Sequence, residues 1–168
     1  IVKKLKSVLG RKKTIVLHEP DLDLVDFRHL RNCFKTGMIS TVGDYVNKFE
    51  NEIKNITKSK YVISVSNGTI GLFISLKVTG VKSDDEVLIP AVSFVATANA
   101  VAHCNATPHF VDIGETDLGI DPIRLDEYLK RNTYIKKNNC FNKKTKKPIK
   151  AIIPVHVFGH PCNINMIM

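Results

Sequence analysis

The chain has 168 residues, of which 43% are apolar and 24% charged, a composition typical of a globular domain and unlike that of a disordered tail. Its net charge of +9 comes largely from lysine runs without interleaved aromatic residues or a binding motif, so we expect no nucleic-acid partner. No apolar run approaches the roughly 20 residues of a membrane helix, and Ile1–Lys13 lacks the apolar centre of a signal peptide. The cysteines have neither zinc-ligand nor disulfide spacing. These features predict a cytoplasmic protein without a metal site or membrane partner.

Two amphipathic helices are predicted in the first third of the chain. Leu22–Lys35 carries apolar residues at roughly helical spacing, and Gly37 follows it as a stop. A turn at Met38–Gly43 leads to Tyr45–Ile56, which has the same spacing. Residues 1–19, which are rich in lysine, form a basic leader that precedes the two predicted helices.

From Tyr61 onward, short apolar runs alternate with helical segments. Such βαβ alternation predicts an α/β fold with a largely parallel sheet and helices on its faces. Asn132–Pro148 is polar and rich in lysine, so we expect residues 132–148 to form a surface insertion. The predicted strands are Tyr61–Ser66, Glu86–Ile89, His109–Asp112 and Lys150–Val157, and the predicted helices are Ile70–Val78, Ser93–His103 and Asp121–Lys130.

The loops that follow the strands are the candidate site, because ligands of open α/β sheets bind at the carboxyl ends of the strands. Ser66–Thr69 joins a strand to a helix, where free N–H groups and the helix dipole favour a phosphate and glycine permits close approach. The same residues also fit an ordinary turn with an asparagine cap. Phe94 suits either a flat heteroaromatic ring or core packing. His156 suits either a ligand contact or a hydrogen-bonded position near the core.

Several short motifs follow one another along the chain. In order and spacing they resemble the N-terminal half of the DegT/StrS family of pyridoxal-phosphate (PLP)-dependent nucleotide-sugar aminotransferases, over about Pro20 to Met168. The motifs are Thr36–Gly43 with Phe49-Glu50, Val65–Thr69, Asp84–Val87 with Ile89-Pro90, Ser93–Ala100, Ala106–Asp112 and Ala151–Pro161.

The resemblance implies the N-terminal part of the large domain of a fold type I PLP-dependent transferase, with a mostly parallel sheet and helices on both faces. Residues 20–168 are then an incomplete PLP-binding domain. The implied reaction of the full-length protein transfers an amino group to a 4-keto-6-deoxy nucleotide sugar in surface polysaccharide or nonulosonic acid biosynthesis. Cys140–Lys143 and the ending Gly159–Pro161 further resemble the subgroup that acts on UDP-amino sugars in legionaminic acid and bacillosamine pathways.

The resemblance also implies roles for individual residues. The backbone of Gly68, Thr69 and Ile70, with the Thr69 hydroxyl, holds the PLP phosphate, and Phe94 stacks on the pyridine ring. His156 matches a position near the cofactor pocket. Ser40 matches the loop that approaches the sugar nucleotide. Asn67 and Ile70 stand where the family commonly has serine and alanine.

The resemblance places no catalytic residue in this chain. The aspartate that pairs with the pyridine nitrogen and the lysine that forms the Schiff base are expected beyond Met168, so we expect this chain alone to be inactive. The family implies a homodimer and an amino donor, with glutamate as the expected one. Two alternatives stay open: a PLP-dependent sugar dehydratase of the same family, in which the lysine is replaced, and a non-catalytic relative.

Overall fold

The computed structural model of the chain describes residues 2–10, 20–41 and 43–168. These residues form two compact units, Ile1–Ser64 and Val65–Met168. No helix in the described ranges is both long and apolar enough to cross a bilayer.

The first unit contains helices whose ends match the sequence signals. Asp23 caps α2 by accepting from the N–H groups of Val25 and Asp26, and the Asp26 carboxylate accepts in return from the Asp23 N–H. Gly37 ends the same helix in the left-handed conformation at φ 70°, as predicted. Of the predicted leader 1–19, residues 1 and 11–19 lie outside the described residues. The helices are α1 (Val2–Leu9), α2 (Leu24–Thr36) and α3 (Asp44–Thr57).

The predicted strand Tyr61–Ser66 does not form, so that prediction is wrong. A strand requires a neighbour with which to exchange backbone hydrogen bonds, and the described part of the chain supplies none for this β-branched run. Within the first unit, Ser64 is instead tied to α3. Its N–H and hydroxyl both donate to the Glu50 carboxylate, at 2.8 and 2.9 Å, and these bonds hold the pKa of Glu50 below its usual value.

The second unit is a mixed five-stranded sheet with strand order β2-β1-β5-β4-β3. β1 is parallel to both β2 and β5, whereas β3, β4 and β5 pair antiparallel. The expected α/β class is confirmed, and the parallel part of the sheet consists of β2, β1 and β5. The elements are α4 (Gly68–Val78), β1 (Glu86–Pro90), α5 (Val95–His103), β2 (Thr107–Val111), α6 (Pro122–Asn132), β3 (Thr133–Lys136), β4 (Asn139–Asn142), β5 (Pro148–Ile152), a 3-10 turn (Val157–Gly159) and α7 (Ile164–Ile167).

Helices cover both faces of the sheet, as predicted. Val87 and Ile89 of β1 point to one face, where they join a core with α4 and α5. Leu88 points to the other face and packs with Val111 of β2 and Leu125 of α6. Because successive side chains of a strand point to opposite faces, β1 contributes to both cores. Complete burial of each such aliphatic side chain stabilises the fold by roughly 1.5–3 kcal/mol.

Within the lysine-rich insertion 132–148 the structure places two strands that the sequence analysis did not predict. β3 and β4 form a hairpin in which Lys136 pairs with Asn139. The two turn residues, Lys137 and Asn138, both have positive φ, as required in a type I′ turn. The asparagines at the tip were the available sequence signal, since Asn tolerates this conformation.

A buried carboxylate holds this hairpin against the sheet. Glu86, at the start of β1, is 2% exposed and accepts from Thr145 Oγ1, from Asn142 Nδ2 at 2.9 Å and from His109 Nδ1 at 2.6 Å. Burial raises the pKa of Glu86, but these hydrogen bonds and the His109 ring outweigh it and leave the pKa below its usual value. His109 Nε2 in turn contacts the Tyr128 hydroxyl at 2.8 Å, and burial together with the Glu86 charge raises the pKa of Tyr128. Tyr128 is therefore a neutral phenol that completes a structural network.

We expect Glu86→Gln to lower the free energy of unfolding by roughly 1–3 kcal/mol, because an amide presents N–H groups to donors that need an acceptor. Urea unfolding followed by circular dichroism measures this loss. The matched control is Asp84→Asn, which removes only the exposed ion pair with Lys147 and should cost less than about 1 kcal/mol. Equal losses in the two variants would contradict the role of Glu86.

The same substitution should change the pH dependence of stability. Since the folded-state pKa of Glu86 lies below its unfolded value, the ionised carboxylate contributes stability that is present above the unfolded pKa, about 4.3. This contribution is lost as pH falls through the folded pKa. The difference in unfolding midpoint between the wild type and Glu86→Gln should therefore shrink on acidification. A difference that stays constant or grows would show that the charge is not the stabilising feature.

Candidate functional site

Two backbone N–H groups at the start of α4 are free to bind an anion. Asn67 caps the helix, and its side-chain oxygen accepts from the Ile70 N–H at 3.0 Å. The Gly71 N–H donates to the Asn67 carbonyl at 3.1 Å. The N–H groups of Gly68 and Thr69 have no hydrogen-bond partner among the described residues. Amides without a partner at the positive end of a helix dipole can bind an anion.

Gly68 leaves space at this position that the fold does not require. A Cβ atom built on Gly68 meets nothing within 4 Å, and its φ is not positive. Glycine in a helix is less favourable than alanine by about 0.5–1 kcal/mol. The packing within the described residues therefore does not require glycine at this position, and the space beside its backbone is open to a ligand.

The starts of α4 and α5 lie at the same end of the second unit. Phe73 meets His103, the last residue of α5, edge to face at 6.4 Å between ring centroids. Val81 and Cys104, which follow the two helices, share one core cluster. The helices therefore run in the same direction. Since α5 begins a few residues after the carboxyl end of β1, the start of α4 is also placed toward that edge of the sheet.

Phe94 precedes α5 at this edge and is solvent-exposed. Its side chain is 72% exposed, and its backbone is extended at φ −75° and ψ 143°. Of the two interpretations of the sequence, core packing within this chain is wrong for Phe94. An exposed aromatic face at the carboxyl end of a central strand is available to cover a flat ring.

His156 follows β5 at the same edge, because β1 and β5 are parallel neighbours. Its ring is oriented by the Cys162 N–H, which donates to Nδ1 at 3.1 Å. An amide nitrogen can only donate, so Nδ1 is unprotonated and the ring proton is on Nε2. His156 therefore presents an N–H donor on an exposed side chain.

The structure thus brings five of the six predicted site residues into the second unit, whereas Ser40 lies in the first. Ser40 occupies an exposed bend after α2. Two further residues act on the site. Asn67 occupies the Ile70 N–H that the resemblance assigned to phosphate binding, a role signalled by the position of Asn before a helical run. Cys162 orients His156, and no pattern in the sequence indicates that contact.

Residues 20–168 match the DegT/DnrJ/EryC1/StrS aminotransferase family. Among curated relatives, the GDP-perosamine synthase of Vibrio cholerae is 33% identical over 150 residues, which are 89% of this chain and 36% of that protein. The chain thus spans about a third of the length of the relatives it matches.

Solved structures show the same similarity. NtdA from Bacillus subtilis with bound cofactor PMP is 28% identical, with a TM-score of 0.67 over 94% of this chain and 34% of that one. The Escherichia coli GDP-4-keto-6-deoxy-D-mannose-3-dehydratase with bound hydrated PLP has a TM-score of 0.70 at 24% identity, over 90% of this chain and 36% of that one. At that identity the second likeness concerns the fold.

We expect Asn67→Ala to lower the free energy of unfolding by about 1 kcal/mol, because the Ile70 N–H loses its partner. The matched control is Asn67→Ser, which retains a capping oxygen and restores the commoner residue of the resembled family. The unfolding midpoint in urea measures both changes. If the serine variant is as unstable as the alanine variant, the cap does not stabilise α4.

Proposed function

The chain belongs to the DegT/DnrJ/EryC1/StrS aminotransferase family, and on this premise we propose that the full-length protein is a PLP-dependent sugar aminotransferase. The observation that carries the proposal is the start of α4, where two amides without a partner among the described residues adjoin a glycine with open space around it. The chain supplies the phosphate-binding edge of the site. The residues that carry out proton transfer are proposed to lie beyond Met168.

The described residues fit PLP in charge and shape. Gly68 and Thr69 would donate their N–H groups to the phosphate, and the Thr69 hydroxyl, on the first turn of the same helix, would add a third donor. The Ile70 N–H donates to the Asn67 side chain, so we assign Ile70 to the rim of this site and not to direct backbone contact with the phosphate.

The other site residues would orient the ring and the substrate. Phe94 would cover one face of the pyridine ring and exclude water from it. His156 would donate from Nε2, and Ser40 would approach the sugar nucleotide. When bound, PLP supplies an electron sink that the side chains of a protein lack.

We further propose a 4-keto-6-deoxy nucleotide sugar as amino acceptor, glutamate as donor and a homodimer as the working assembly. A relative named GDP-perosamine synthase supports a nucleotide-linked amino sugar as product. That name contains GDP and not UDP, so the relative does not support the narrower prediction of a UDP-amino-sugar substrate, which stays a prediction. The proposed setting is surface polysaccharide or nonulosonic acid biosynthesis in the cytoplasm.

A sugar dehydratase is the second candidate. The fold likeness to a GDP-4-keto-6-deoxy-D-mannose-3-dehydratase favours keeping it, since the elements described in this chain occur in both kinds of enzyme. The two differ in whether the protein holds PLP through a lysine, and that position lies outside this chain.

The full-length protein with added PLP should develop a visible absorption band that borohydride abolishes while it fixes the cofactor covalently to the protein, and with a keto sugar as acceptor the protein should convert glutamate to 2-oxoglutarate. A PLP complex that borohydride leaves releasable, with loss of water from the sugar, would favour the dehydratase. Absence of PLP binding would overturn both proposals and leave a non-catalytic relative.

Gly68→Ala should weaken PLP binding at least roughly tenfold, because a methyl group enters the space the phosphate needs, while the unfolding midpoint stays the same or rises. Equilibrium dialysis measures the affinity. The matched control is Gly71→Ala in the same helix, where the added Cβ meets only the Val65 side chain at 3.4 Å. Similar affinities for both variants would exclude the start of α4 as the phosphate site.

A further inference from the structure

Gly119, in the loop between β2 and α6, lies where a side chain has no room. A Cβ atom built on it would lie 2.5 Å from Cβ and 3.4 Å from Cα of Cys162. Gly119 is not among the residues with positive φ, so the close approach, and not the backbone conformation, requires glycine. The absence of a side chain at this position allows Cys162 to pack against the loop.

Both partners of this contact are held in place. The Gly119 N–H donates to Asp117 Oδ1 at 2.9 Å, and its carbonyl accepts from the Gly114 N–H at 2.9 Å. Ile120, the next residue, is fully buried, and Cys162 is 5% exposed. Since Cβ of Cys162 is not the end of a flexible side chain, a methyl group on residue 119 must displace the backbone of this loop, of Cys162 or of both.

The backbone of Cys162 orients the ring of His156. The Cys162 N–H donates to His156 Nδ1 at 3.1 Å, and the Gly159 N–H donates to the His156 carbonyl at 3.0 Å, which closes the turn Val157–Gly159. Val157, the first residue of the turn, is buried, which anchors the turn. The close contact between Gly119 and Cys162 thereby connects the loop after β2 to the segment after β5, and through that segment to the His156 tautomer.

We propose that Gly119 and Cys162 are positioning residues for His156, and that His156 donates a hydrogen bond from Nε2 to an oxygen atom of bound PLP. This inference rests on the proposed function, which supplies the cofactor. A donor whose tautomer and direction are set before binding loses little conformational freedom when the ligand arrives. The contact between Gly119 and Cys162 thus contributes to cofactor affinity without touching the cofactor.

The first test reads the tautomer in the full-length protein without PLP, by the imidazole nitrogen shifts of ¹⁵N-histidine. The wild type should show His156 protonated at Nε2, and Gly119→Ala should show mixed tautomers. Exchange of the two side chains, Gly119→Ala with Cys162→Gly, removes the clashing Cβ and should restore the wild-type signal. A wild type protonated at Nδ1, or an unaltered signal in Gly119→Ala, would overturn the positioning role whether or not PLP binds.

The second test is a double-mutant cycle on PLP affinity. Gly119→Ala and His156→Ala should each weaken binding roughly tenfold, the effect of one lost hydrogen bond. The double variant should be no weaker than His156→Ala, because the glycine acts only through the histidine. Additive losses would overturn the coupling. Absence of PLP binding by the wild type would overturn the proposed function and the role of His156 toward PLP. The tautomer measurement would still decide whether Gly119 and Cys162 position His156.

A milder variant covers the case in which Gly119→Ala fails to fold. In His156→Asn the amide oxygen takes the place of Nδ1 and still accepts from the Cys162 N–H, but the outward Nε2 donor is lost. Its unfolding midpoint should equal that of the wild type, and its PLP affinity should fall roughly tenfold. An unchanged affinity would exclude His156 as a donor to the cofactor.

Discussion

The second unit depends on β1, which is buried at every position from Glu86 to Pro90. A strand between two parallel neighbours, with helices on both faces, cannot expose any side chain to water, and its residues read as an almost continuous apolar run. Glu86 is the exception, and its charge is compatible with burial because each donor around it is aimed at the carboxylate. The ends of this strand therefore have different uses. The first residue anchors the lysine-rich hairpin, and the last leads into the loop that carries Phe94.

The two ends of β1 differ in whether their polar groups already have hydrogen-bond partners. The Glu86 network is closed: its carboxylate, the His109 ring and the Tyr128 hydroxyl satisfy one another, so it offers no group to a ligand. The opposite edge is open, because the amides of Gly68 and Thr69 lack partners within the described residues and Phe94 is exposed. Unsatisfied donors and an uncovered aromatic ring are what a cofactor with an anionic group and a flat ring can complete. Charged groups in the first region stabilise the fold, and polar groups in the second are available to a ligand.

Sequence reasoning located α2 to α6 because their signals are local, whereas α1 lies within the predicted leader. Gly37 ends α2, and Asp121 precedes Pro122 at the start of α6. Each of these signals acts over a few residues and can be read from their order. The strand predicted at Tyr61–Ser66 failed for the opposite reason, since β-branched composition indicates what a sheet accepts but not whether a neighbour is present.

The sequence by itself determined the end of α2 at Gly37, the alternation of helices and strands from α4 to α6 and the family, because each depends on residue type and short spacing. Tertiary structure alone decided that β3 and β4 extend the sheet, that Asn67 occupies the Ile70 N–H, and that Gly119 reaches His156 through Cys162. These contacts join residues whose separation along the chain carries no pattern. They are set by how elements pack, which no local propensity encodes.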